Sequence, residues 1–156
     1  MGVEIERKYL LAGDGWRTLA RPVLLRQGYL SSDPARVVRV RIEGGQAMLT
    51  IKGPNVGMRR GEWEYPIPVE DAGVMLDTLC QQPLVEKYRS RIVVGAHTWE
   101  VDEFLGANQG LVMAEIELAS EDETFEMPDW IGTEVTGQQR YYNSSLIRHP
   151  YSSWGV

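Results

Sequence analysis

The sequence predicts a mainly β protein, an antiparallel sheet of eight strands, closed or nearly so, with few helices. Three observations carry this. Apolar and charged residues alternate with period two through most of the 156 residues, the spacing at which neighbouring side chains of a strand point to opposite faces. The pairs Gly44-Gly45 and Gly95-Ala96 sit between alternating segments, where two-residue hairpin turns belong. Helical spacing is confined to a few short stretches.

In chain order, strand 3–11 places Glu4, Glu6 and Lys8 on one face and Ile5 and Tyr9 on the other. A short helix is expected near 14–20, then strand 23–30. Strands 36–43 and 46–52 flank the Gly-Gly turn; Arg39 and Arg41 face away from Val38, Val40 and Ile42, and Lys52 away from Leu49 and Ile51. Strand 60–68 sets Glu62 and Glu64 against Trp63 and Tyr65. A helix over 70–82, with Val74, Leu76 and Leu79, stops before Pro83. Strand 85–94 carries Lys87, Arg89 and Arg91, strand 97–103 carries Glu100 and Asp102, and strand 111–119 carries Glu115 and Glu117. Ser120 with Glu123 has capping-box spacing for a short turn ending near Pro128. Thr136 with Gln139 has the same spacing, for a helix over 137–148 that Pro150 ends. No repeat or linker divides the chain, so one domain over 1–156 is expected.

Composition excludes several classes. Hydrophobic residues at 43% and charged residues at 24% belong to a folded chain and not a disordered one. No apolar run reaches the roughly 18–20 residues of a membrane helix, and the acidic, strand-like N-terminus does not read as a signal peptide. The single Cys80 excludes an internal disulfide and makes a cytoplasmic location the default. One cysteine and two distant histidines, His97 and His149, offer no zinc spacing. A net charge of −6 works against a nucleic-acid surface, yet the cations recur in tight clusters inside strands. That combination points to a small anion in a pocket.

The charged faces sharpen this. A solvated sheet face usually mixes Ser, Thr, Asn and Gln with its charges; here seven strands present almost pure Glu, Asp, Arg and Lys. If the sheet closes with that face inward, it lines a tunnel that must hold water, ions or ligand. Clustered inward cations repel unless anions stand between them. Paired carboxylates one pleat apart suit a hard divalent cation. Arginine and lysine suit phosphate oxygens.

These residues resemble the CYTH superfamily, the triphosphate tunnel metalloenzymes, over nearly the whole chain. The resemblance rests on EIERKYL at the start, LRQGYL at 25–30, VRVRI at 38–42, the TIK ending at Lys52 and RGEWEY at 60–65. It continues through VEKYRSR at 85–91, VDEF at 101–104, AEIEL at 114–118 and TEVTGQQRYYN at 133–143. It is strongest to short bacterial members, several of which hydrolyse inorganic tripolyphosphate. What it implies is an eight-stranded antiparallel barrel open at both ends, helices outside, and a C-terminal helix near one mouth. It implies Mg²⁺ or Mn²⁺ as cofactor, with Glu4, Glu6, Glu115 and Glu117 at the metal. Lys8, Arg39, Arg41, Lys52, Lys87 and Arg89 would grip the phosphates, with Glu4, Glu6, Lys8 and Lys52 closest to catalysis. Glu62, Glu64 and Asp102 match acidic positions of less defined role, and Tyr29 falls in a similar segment. Members often carry a lysine where this chain has Gln139 or Tyr142; Arg140 is kept, offering one cation at the mouth.

The expected reaction is metal-dependent hydrolysis of tripolyphosphate to pyrophosphate and phosphate. Three other readings are a class IV adenylate cyclase, a thiamine triphosphatase, and a module that binds polyphosphate without turnover. The motif begins at residue 4, where cyclases tend to carry extra residues ahead of it. Strand parity puts Trp63 outside, away from any thiazolium that Trp63 or Tyr141 could stack. The expected partner is a small triphosphate, with neither nucleic acid nor membrane; a homodimer is left open.

Overall fold

The computed structural model describes residues 2–155. Nine strands form one sheet: β1 Gly2–Leu11, β2 Val23–Ser31, β3 Val37–Glu43, β4 Gln46–Lys52, β5 Arg59–Ile67, β6 Val85–Val94, β7 His97–Phe104, β8 Val112–Glu117 and β9 Ile131–Glu134. Every pairing is antiparallel, in the order β5-β4-β3-β2-β6-β7-β8-β1, and β1 closes the ring on β5 through Gly2↔Glu62 to Ile5↔Arg59. The closed eight-stranded barrel is thus as expected. Gly44 turns the β3–β4 hairpin at φ 61°, a backbone region that side chains with a Cβ avoid.

The barrel is apolar outside and charged inside. On its outer face Ile5, Tyr9, Trp99, Val101, Ala114 and Ile116 pack beneath Trp16, Leu118, Trp130 and Ile131. Trp99 is fully buried between Tyr9, Trp130 and Phe125, all in edge-on contact. The one α-helix among the described residues, α1 (Val69–Thr78), lays Ala72 and Leu76 on Val40 and Ala47. Truncating a wholly buried leucine such as Leu76 typically costs about 2–5 kcal/mol. A third cluster, including Tyr29, Val37, Val85, Phe104 and Leu146, seals the end where β3 and β5 begin.

The helices differ most from expectation. The helix over 70–82 is shorter, and the one near 14–20 is a single 3₁₀ turn, Gly15–Thr18. The short turn expected from Ser120 is present but brief, closed by Glu123 N–H on Ser120 O at 3.3 Å; the Glu123 carboxylate accepts from Ala119 N–H and meets His97, which ties it to the barrel. The helix over 137–148 is replaced by 3₁₀ turns at Gln139–Tyr141 and Ser145–Ile147. Thr136 cannot cap it, because its hydroxyl accepts from Lys8 N–H (2.9 Å) and donates to Glu134 (2.6 Å). Gly137 follows at φ 79°, outside helical space. The extra strand β9 lies along Tyr9–Leu11 and is held by Glu134, which takes two bonds from Arg7 at 2.9 and 3.0 Å.

Candidate active site

Because parity turns the charged face inward, the lumen is a cavity of about 420 Å³ lined by eight acidic and eight basic side chains. They are sorted by strand. β5, β1, β8 and β7, contiguous in the ring, bear Glu62, Glu64, Glu4, Glu6, Glu115, Glu117 and Glu100, with Lys8 and Arg60 as exceptions. β4, β3, β2 and β6 bear Lys52, Arg39, Arg41, Lys87, Arg89 and Arg91, with Glu43 as the exception.

Where the halves meet, the charges pair. At the β4–β5 seam the Lys52 ammonium lies 3.1 Å from Glu4 and 3.5 Å from Glu62. At the β6–β7 seam Arg89 makes a bidentate pair with Asp102, both bonds 2.8 Å, and Lys87 reaches the same carboxylate at 2.8 Å. Asp102 is buried behind the lining. Burial alone would raise its carboxyl, but Lys87 and Arg89 hold it well below the usual range. Within the acidic half Lys8 bonds Glu115 at 3.1 Å and sits 3.7 Å from Glu6.

Away from the seams, charge is left over. Burial, then the charges of Glu115 and Glu4, push the Glu6 carboxyl up to about 8. Burial and Glu4 push Glu62 up to about 7, and Glu117 is raised too. Glu115 goes the other way: burial is outweighed by Lys8, Arg89 and Lys87. In the basic half Arg41 makes no ion pair among the described residues and its buried Nε has no partner. Burial with Arg39 and Arg89 nearby pulls it down to about 10. The Lys87 ammonium, wholly buried among one carboxylate and two arginines, is pulled down to about 7, burial first. Arg39 shares Thr50 with Glu64 and has its own unpartnered Nε.

All the expected residues except Asp102 and Arg140 line one cavity. Tyr29 does so too, its hydroxyl accepting from the buried Gln27 amide at 3.0 Å. Arg140 turns away, its guanidinium 3.9 Å from the Trp154 ring. The lining also holds Arg60, Asn55, Tyr142 and Asn143, which sequence reasoning missed. Arg60 could have been found, since it shares the parity of Glu62 and Glu64. Asn143 accepts from Lys87 at 2.7 Å and from Gln27 at 3.2 Å, and a loop residue offers no periodicity to betray that.

The four glutamates expected at a metal do not converge: among the described residues no three acidic or imidazole groups gather at ligand distance. Glu4 and Glu115 are drawn to Lys52 and Lys8. The donor set nevertheless fits a hard cation. It is all carboxylate oxygen, and the shifts on Glu6 and its register partner Glu117 show carboxylates crowded past what the nearby cations neutralise, a crowding that a divalent ion would relieve.

The class this defines is a closed antiparallel barrel with opposed acidic and basic inner walls around one lumen. The chain matches the CYTH domain family over residues 2–151 and belongs to it. It is 50% identical over 154 residues, 99% of each chain, to an inorganic triphosphatase of Acetivibrio thermocellus. It is 37% identical to an inorganic triphosphatase of Nitrosomonas europaea, covering 92% of this chain and 95% of that one. The crystal structure of an inorganic triphosphatase superposes with a TM-score of 0.64 at 35% identity, covering 94% of this chain and 95% of its own. A protein from Pyrococcus horikoshii shares the fold at 19% identity and a TM-score of 0.58, covering 76% of this chain and 80% of its own.

Proposed function

We propose that this protein hydrolyses inorganic tripolyphosphate to pyrophosphate and phosphate with Mg²⁺ or Mn²⁺. The observation that carries it is Arg41: a half-buried guanidinium with a buried, unpartnered Nε and, among the described residues, no carboxylate pair, near Arg39 and Arg89 and facing the glutamates of the other half. Such a group is stable only when an anion joins it, and bidentate donors match phosphate oxygens. The triphosphatase activity of the two relatives supports the same substrate.

In this reading Arg39, Arg41, Lys87 and Arg89 grip the phosphate chain, with Lys52 at the β4–β5 seam and Lys8 within the acidic half adding two more cations. Glu4, Glu6, Glu115 and Glu117 would hold the metal. A divalent ion there supplies Lewis-acid neutralisation of charge on the phosphate oxygens. Water adds to the terminal phosphorus in line, the bridging P–O bond breaks, and its electron pair leaves with pyrophosphate. The basic half is built before the reaction begins, so its stabilisation of the spreading negative charge costs no reorganisation. A cytoplasmic site of action is part of the proposal, on the lone buried Cys80.

The test is incubation with tripolyphosphate, ATP and thiamine triphosphate, each with Mg²⁺, Mn²⁺ or chelator, reading phosphate, pyrophosphate and cyclic AMP. Phosphate from tripolyphosphate, lost on chelation, is the expected result. Cyclic AMP from ATP, or binding of tripolyphosphate without release, would overturn it.

A further inference from the structure

At the end of the barrel where β3 and β5 begin, residues 136–144 run across the lumen and contribute Thr136, Gly137, Tyr142, Asn143 and Ser144 to its lining. Tyr142 does the most there. Its ring lies 5.6 Å from the Lys8 ammonium and 5.9 Å from the Arg60 guanidinium, one cation from β1 and one from β5. Its hydroxyl is hydrogen-bonded to Asn55, in the loop joining β4 to β5. The next residue, Asn143, binds Lys87 on β6 at 2.7 Å. Adjacent residues of one segment are thus fastened to opposite walls.

What Tyr142 occupies matters for substrate choice. Val37 and Met58, apolar lining side chains, flank this same end. A ribose or base attached to a triphosphate would find its apolar wall there. The opposite mouth is mostly ionic, with Met48 as its apolar lining: there Arg91 pairs with Glu43 at 2.7 Å and with its strand neighbour Glu100 at 3.2 Å. We propose that Tyr142, latched to Asn55, is a specificity-determining residue. It fills the end of the tunnel where Val37 and Met58 could lodge a nucleoside and so reserves the cavity for a triphosphate bearing nothing else. This rests on the proposed function. The latch adds a steric refusal to the attraction supplied by the basic half.

The experiment compares wild type with Tyr142→Ala, Tyr142→Phe and Asn55→Ala. Two readouts are taken: kcat/KM for tripolyphosphate and ATP with Mg²⁺, and calorimetric binding of both to metal-free protein under chelator. Tyr142→Ala should shrink the preference for tripolyphosphate at least about tenfold, the range in which pocket size discriminates. Most of the change should be a lower KM and tighter metal-free binding for ATP. Tyr142→Phe keeps the ring over both cations but loses the bond to Asn55, and should shift the preference less than Tyr142→Ala and about as far as Asn55→Ala. Asn55→Ala, a loop change that leaves the barrel wall intact, should shift it in the same direction as Tyr142→Ala but less. An unchanged preference in Tyr142→Ala and Asn55→Ala, with wild type still binding tripolyphosphate, overturns the latch alone. If wild type binds neither compound, the proposed function falls and the latch with it.

Discussion

The β5–β1–β8–β7 half of the barrel and the β4–β3–β2–β6 half are built from the same kind of strand, yet their charges are settled differently. On the acidic side lysines reach in, Lys8 to Glu115 and Lys52 to Glu4, and still leave Glu6 holding its proton up to about 8. On the basic side Lys87 and Arg89 share Asp102, Arg89 also reaches Glu100 at 3.2 Å, and Arg41 has no carboxylate partner among the described residues. The halves neutralise each other only along the seams where they touch. Across the lumen they cannot, because the space between them is wide enough to hold a ligand. Each half therefore has an appetite of its own, one for cations and one for anions, and a metal-bound polyphosphate satisfies both. A uniformly salt-bridged lumen would be inert.

The largest expected effect separates the halves by activity. Glu6→Gln should cut phosphate release from tripolyphosphate by at least about 10²–10³-fold, the loss that follows removal of one preorganised electrostatic group. Its melting temperature at neutral pH should not fall, since a neutral amide replaces a carboxyl that already keeps its proton there. Near-native turnover with Mg²⁺ would remove Glu6 from the metal. Next come two arginines that look alike in sequence. Arg89→Ala leaves Asp102 with Lys87 alone and should destabilise by about 1.5–3 kcal/mol in a denaturant titration. Arg41→Ala strands nothing, so its stability should hold or rise while kcat/KM falls by about 10²-fold. Equal stability losses in the two would erase the contrast.

The smallest effect is on pH dependence. The Glu6 carboxyl at about 8 in the folded protein stands above its ordinary 4.5, so between those values the folded state keeps a proton that the unfolded chain releases. Metal-free stability should therefore fall as pH rises through that window, relative to Glu6→Gln, which has no proton to lose there. A difference that grows in the opposite direction would show Glu6 to be satisfied by its neighbours.

Much of this architecture is legible in the order of the residues alone. Each strand's inner charges, from Glu4 and Glu6 to Glu115 and Glu117, follow from period two, and both hairpin turns fall at Gly44-Gly45 and Gly95-Ala96. The sorting into halves is not legible there, because ring order depends on which strands become neighbours, and β2 pairing with β6 is a long-range choice. The C-terminal helix fails because local capping spacing at Thr136 and Gln139 loses to a tertiary demand, the bond from Lys8 N–H. The four-residue β9 is too short to show periodicity. Asn55, Tyr142 and Asn143 sit in loops and turns, where position is set by what they touch.

One crossed calorimetric titration tests the division of labour directly. Mn²⁺ and, separately, tripolyphosphate under chelator are titrated into Arg41→Ala and into Glu6→Gln. Arg41→Ala should keep Mn²⁺ binding and lose tripolyphosphate, while Glu6→Gln does the reverse. Both ligands weakening together in both variants would contradict it, making the lumen one undivided charge network.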